Sequence, residues 1–151
     1  MKKQGYTLIE LIISFTVLAI LTVGITLVYQ YFKRDTETET AAKKVIASLR
    51  EAQSRAIASK DNISWGIHFS NNSYIIFSGV FDPANPSNET VFLGSSVSLE
   101  NFNFHNSENE IIFSKLTGGT DNYGQLEVVS IVSGGAKTIT ITSEGKISGS
   151  G

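Results

Sequence analysis

A run of twenty-two residues, 11–32, carries no Asp, Glu, Lys, Arg, His or Pro, and is entered through a lone carboxylate, Glu10. No other stretch restricts the possible folds as strongly. In helical form it reaches about 33 Å at about 1.5 Å per residue, enough to cross the hydrocarbon core of a bilayer. Lys2 and Lys3 stand on its short N-terminal side, a polarity that holds that end in the cytoplasm and sends the larger C-terminal part across. A cleaved secretory signal has a shorter apolar core, about 7–15 residues, closing on small residues at the cleavage site. This run is too long for that pattern and lacks such an end. An ionisable side chain drawn to the bilayer centre costs about 2.5–3.5 kcal/mol, so Glu10 needs a partner or an interfacial seat.

Past the run, Asp35, Glu37 and Glu39 precede Ala42, Val45, Ile46, Leu49, Ala52, Ala56 and Ile57, apolar residues spaced by threes and fours. That spacing predicts an amphipathic helix over 33–60 with one buried stripe. Acids near its start and Arg50, Arg55 and Lys60 toward its end agree with the helix dipole, and Asp61-Asn62 supplies a stop. No proline interrupts the stretch from Thr7 to Lys60. The apolar segment 6–32 and the amphipathic half can therefore form one helix, with a bend at the β-branched Thr36, Thr38 and Thr40 as the alternative.

From Ile63 the period changes to two. Trp65, Ile67 and Phe69 alternate with Gly66, His68 and Ser70 before Asn71-Asn72, and Tyr74 to Phe77 follow, which predicts a hairpin. Further strand-like runs are Val91-Phe92-Leu93, 99–104, 110–113, 126–132 and 138–142. Gly134-Gly135 and Glu144-Gly145 mark turns. Residues 79–88, with Pro83 and Pro86, and residues 117–122 are expected to be exposed loops. About 90 residues of short strands bury an adequate core only if the amphipathic helix also packs on them. The expectation is therefore an α+β chain whose long N-terminal helix packs on an antiparallel sheet in one head, 61–151. Trp65, Phe69, Tyr74, Phe77, Phe102, Phe104 and Phe113 are its candidate core aromatics.

The string Gly5-Tyr6-Thr7-Leu8-Ile9-Glu10, with Lys2 and Lys3 upstream and an apolar helix downstream, resembles the processing site of type IV prepilins and type II secretion pseudopilins. The resemblance implies a leader peptide, 1–5, removed between Gly5 and Tyr6 by a prepilin peptidase that also methylates the new N-terminus at Tyr6. Tyr6 stands where the family usually has Phe. It further implies retention of segment 6–32 as a transmembrane and then filament-core helix, with Glu10 neutralising the N-terminal amine of an adjacent subunit and so setting register. A more specific resemblance, to the minor pseudopilins of the H type (GspH/FimT-like), rests on residues 48–57, Ser-Leu-Arg-Glu-Ala-Gln-Ser-Arg-Ala-Ile, and on 138–147, Thr-Ile-Thr-Ile-Thr-Ser-Glu-Gly-Lys-Ile. The partners it implies are the processing peptidase, other pilin or pseudopilin subunits, an inner-membrane assembly platform and the lipid bilayer. The implied location is the bacterial inner membrane, with the head on its far side.

Charge separates the functional alternatives. Residues 61–151 carry Lys115, Lys137 and Lys146 against nine Asp or Glu, a net of minus six. FimT-like subunits that take up DNA use a basic surface, and an acidic head repels phosphates instead, so nucleic-acid binding is kept only as the alternative to a secretion-type filament. An enzyme is not expected. Cysteine is absent, and His68 and His105, the only histidines, lie in no nucleophile-elbow, HExxH or phosphate-loop pattern. Asp121-Asn122 and Glu108-Asn109-Glu110 carry oxygen ligands without a recognisable calcium spacing, so no metal or cofactor is expected.

Overall fold

The computed structural model describes residues 7–58, 62–132 and 134–150, and of 23–35 the backbone alone. The chain divides into two compact units, Met1–Lys33 and Arg34–Gly151. Helix α1, Leu8–Ile57, enters both, and Thr36, Thr38 and Thr40 lie inside the helical span. It ends earlier than the sequence suggests. Ala58 still donates to the Ser54 carbonyl, but the Leu116 N–H has already taken the Ala56 carbonyl, so a loop from the head closes the last turn. The Asp61 stop lies outside the described residues, and Asn62 adopts a left-handed backbone at φ 56°.

Eight strands follow: β1 (Trp65–Ser70), β2 (Ser73–Ser78), β3 (Glu89–Phe92), β4 (Val97–Phe104), β5 (Glu110–Phe113), β6 (Gly124–Ser130), β7 (Ala136–Ile141) and β8 (Ile147–Ser150). They form two antiparallel four-stranded sheets, ordered β3-β2-β1-β5 and β4-β6-β7-β8, where the sequence suggested one. The division follows from β4. Instead of extending β3, it pairs with the later β6, while β5 returns to β1. The β1–β2 turn stitches the two sheets, because the Asn71 carbonyl accepts from the Leu99 N–H.

Both sheets turn one face to the helix. Val45, Leu49, Ala52 and Ala56 are fully buried against Ile67, Phe69, Tyr74, Ile111 and Phe113 of the first sheet and Leu99, Leu126, Val128, Ile139 and Ile141 of the second. The strand alternation makes this possible, since Trp65, Ile67 and Phe69 of β1, Leu126 and Val128 of β6, and Ile139 and Ile141 of β7 fall on alternate positions. Each fully buried aliphatic side chain contributes about 1.5–3 kcal/mol. Six of the seven anticipated core aromatics are buried, and Phe102 packs against the cluster. Phe77 departs from the pattern by pointing to the opposite face of β2. There the 79–88 loop covers it, with Phe81 5.2 Å from the Phe77 ring and stacked on His68 at 3.9 Å. That loop is where the prolines place it, but it is partly a lid on the sheet.

Candidate functional site: helix start and helix–head clamp

Lys2, Lys3, Gly5 and Tyr6 lie outside the described residues. Immediately after them, Thr7 and Glu10 form a reciprocal cap at the start of α1. The Thr7 N–H and hydroxyl both donate to Glu10 Oε2, at 2.9 and 3.0 Å, and the Glu10 N–H donates to Thr7 Oγ1 at 3.4 Å. This is the Thr-x-x-Glu capping box, which satisfies amides that a helix start otherwise leaves unpaired. One carboxylate oxygen is thereby committed within the chain. Glu10 Oε1 accepts no hydrogen bond among the described residues.

Around this cap the apolar side chains are uncovered. Leu8, Ile9, Phe15, Leu18 and Ile20 are each more than half exposed within this unit. Ser14, Thr16 and Thr22 turn their hydroxyls back onto carbonyls four residues earlier, so their polarity is spent inside the helix. Among the described residues no helix is long and apolar enough to cross a membrane. The apolar run 11–32 extends into residues whose side chains are not described.

In the head, the 48–57 segment works as a clamp. Gln53 donates one amide to two carbonyls, Gly118 at 2.9 Å and Gly145 at 2.7 Å, tying both loops to the helix. Glycine is required at Gly145. Its φ is +82°, and a Cβ there would meet the Gly118 oxygen and the Gln53 amide. Ile57, expected on the buried stripe, is instead 46% exposed at the end of the helix, and its tip rests where a Cβ on Gly118 would lie. Ser48 reaches the buried Tyr74 hydroxyl at 2.8 Å. Burial pushes that phenol above its ordinary range, a shift the Ser48 bond partly offsets. Arg55 forks onto Glu89 at 2.6 and 3.2 Å, bonds Glu51 at 2.6 Å and lies 4.8 Å over the Trp65 ring. The Glu89 bonds, ahead of a smaller opposing effect of burial, hold its guanidinium above the usual range. The 48–57 string was legible as a motif, but the clamp was not. Its trace in the sequence is a polar Gln beside a buried stripe, matched to glycines in two remote turns.

The remaining candidates are not brought into one site. His68 Nδ1 lies 2.9 Å from Glu110 Oε1, and Asn109 reaches both the His68 ring and the Phe69 carbonyl. His105 stacks on Tyr123 at 4.7 Å, with its Nδ1 3.2 Å from the Asp121 carbonyl. Among the described residues no group of three His, Cys, Asp or Glu side chains could hold a metal ion. Glu108 and Asp121 are exposed loop residues.

Residues 1–26 match the model of the prokaryotic N-terminal methylation motif. Residues 41–145, most of the chain, match that of type II transport protein GspH. Among curated protein sequences, none matches. Of solved structures, the chain is similar to the minor pseudopilin EpsH from the Type 2 Secretion System of Vibrio cholerae. The TM-score is 0.55 at 12% identity, over 76% of this chain and 96% of that one, a likeness of fold.

Proposed function

The chain belongs to the GspH family of type II transport proteins, and we propose that it acts as a minor pseudopilin, a non-enzymatic structural subunit of a type II secretion filament. In this reading the leader 1–5 is cleaved between Gly5 and Tyr6, and Tyr6 is methylated. Segment 6–32 first anchors the subunit in the cytoplasmic membrane and then packs in the filament core. The methylation motif over residues 1–26 supports the processing step, and the EpsH-like fold suits the role given to the head.

The observation that carries the assembly step is the state of Glu10. Its Oε2 is capped by Thr7 while Oε1 accepts no hydrogen bond among the described residues, on a helix stretch, 8–21, whose described apolar side chains are uncovered within its unit. Cleavage after Gly5 would create a cationic amine on Tyr6, and amine and carboxylate each remove the other's desolvation problem inside an apolar bundle. Such a buried pair contributes register more than stability, because desolvation of both ions offsets most of their attraction.

Peptide mass analysis of the protein made with and without an active prepilin peptidase tests the reading. The expected N-terminus is methylated Tyr6, with Glu10→Val still inserted in the membrane but failing to assemble. An intact Met1 terminus beside an active peptidase, or normal assembly of Glu10→Val, overturns it.

A further inference from the structure

Ser96 joins one end of the head to Glu37, near the start of the second unit's helix stretch. Its hydroxyl donates to Glu37 Oε2 at 2.6 Å, and its carbonyl accepts from the Ile131 N–H at 3.0 Å. Loop 93–96 and turn 131–135 therefore form a rim beside Glu37. Lys137 reaches the same neighbourhood from the start of β7. The Lys43 bond, and more weakly the nearby Lys137, hold Glu39 below the usual carboxylate range.

This rim carries three bare apolar side chains. Phe92 closes the edge strand β3 and leads into loop 93–96, and Ile131 and Val132 open the turn; each is more than half exposed. The turn itself does not call for them. Gly134, at φ +70°, supplies its left-handed residue and returns its N–H to the Ser130 carbonyl, and polar residues suit such positions better than β-branched ones. The two other short hairpins turn on Asn71-Asn72 and on Ser143-Glu144-Gly145 instead.

The chain's own connectivity says what meets this rim. Glu37 stands five residues past Phe32, where the apolar run ends, and five residues fully extended reach at most about 18 Å. A run held across a bilayer therefore keeps Glu37, and the rim beside it, within that reach of the lipid surface whatever path the linking residues take. Apolar side chains next to a lysine suit the boundary between headgroups and acyl chains, which takes up apolar area and attracts cations to anionic phosphates.

We propose that Phe92, Ile131 and Val132 seat the head on the bilayer surface, in the boundary between headgroups and acyl chains, while the subunit is stored in the membrane. Three side chains are shallow anchorage beside a spanning helix, so the seating is reversible. It orients the head before assembly, and departure into a filament uncovers the rim again. The proposal rests on membrane anchoring by segment 6–32 and adds a second lipid contact to it.

The absence of cysteine makes single-site labelling clean. Three full-length chains each receive one nitrobenzoxadiazole label. Ser95→Cys places it on the exposed part of the rim, and Leu18→Cys in the apolar run. Val80→Cys places it at the other end of the head, where the Gly79 N–H meets the Ser64 carbonyl next to Trp65 and the end of the helix. The chains are reconstituted in phosphatidylethanolamine and phosphatidylglycerol vesicles whose acyl chains carry a nitroxide quencher, near the headgroup for the head sites and near the bilayer centre for Leu18→Cys. Quenching and a blue shift are expected at the Ser95→Cys label and not at the Val80→Cys label. Adding Phe92→Ser, Ile131→Ser and Val132→Ser to the Ser95→Cys chain should bring its quenching down to the Val80→Cys level. A quenched Leu18→Cys label beside equal signals from the two head sites, or rim quenching that survives the triple substitution, overturns the lipid contact and leaves the anchor intact. An unquenched Leu18→Cys label overturns the anchor, and this contact with it.

Discussion

The two stretches of α1 are both rich in apolar residues and differ in what covers them. Within the first unit, Ile12, Phe15, Leu18 and Leu21 are more than half exposed, whereas within the second Val45, Leu49, Ala52 and Ala56 are fully buried. The difference lies in where polar residues fall. Between residues 34 and 57, charges occupy the positions between the apolar stripe, so one face suffices and the chain's own sheets supply it. Between 11 and 32 no charge interrupts the apolar circumference, and no single protein face can cover it. A helix that is apolar all round requires a surround, either lipid or neighbouring helices.

The strongest way to break this contrast is to truncate one leucine on each stretch. Leu49→Ala opens a cavity between helix and sheets and should cost about 2–5 kcal/mol. Leu18→Ala should leave head stability unchanged within about 0.5 kcal/mol. Denaturation of the full chain in detergent, followed through the lone Trp65, reads both. Equal losses would show that the two stretches are buried alike.

A second contrast lies inside the head, between apolar burial and the polar clamp. Gly145→Ala forces a Cβ toward the Gly118 oxygen at φ +82° and should cost about 3 kcal/mol. Gln53→Ala leaves the two carbonyls to water and should cost about 1–3 kcal/mol. Gln53→Ala lifts the amide clash but leaves the Gly118 contact and the positive φ, so the two losses should add to less than their sum while the double variant stays below Gln53→Ala alone, and full additivity would separate the two.

Much of this was legible in the sequence. The spacing of Val45, Leu49, Ala52 and Ala56 gave the helix stripe, and the alternation from Trp65 to Phe77 gave the first hairpin with its turn. The split into two sheets was not legible, because β4 resembles any other alternating strand until its partner, β6, is known. Nor was the capping box at the helix start. Thr7 and Glu10 stand at the right spacing, but a carboxylate at the mouth of an apolar run has the same sequence signature whether it is a local cap or an unpaired charge. The 79–88 loop was placed by its prolines, yet nothing local announces that Phe81 turns back over Phe77.

Alkaline pH sharpens the same comparison, because the Tyr74 phenol belongs to the head core. Its folded pKa lies above the unfolded value, so the unfolded state gives up the proton first as pH rises. Stability contributed by the buried neutral phenol is full below about pH 10 and is lost as pH climbs through the raised folded value. Tyr74→Phe should flatten that decline, and an unchanged alkaline profile would assign it to other groups. Ser48→Ala removes the bond that offsets burial and should move Tyr74 ionisation still higher, read from tyrosinate absorbance.

Leu116 is one of several apolar side chains that the head leaves uncovered, alongside Val80, Phe92 and Ile131. It is 71% exposed and sits at φ +68°, where a side chain with a Cβ is strained by about 1–2 kcal/mol. Its N–H closes the helix by reaching the Ala56 carbonyl at 3.1 Å, so the backbone, not the side chain, fixes the conformation. Leu116→Gly keeps that bond and relieves the strain, while the added freedom of the unfolded chain takes back part of the gain. The net expectation is a stabilisation of about 0.5–1 kcal/mol, seen as a higher denaturation midpoint at unchanged slope. A lower midpoint would mean that the leucine side chain, though uncovered, supports the head.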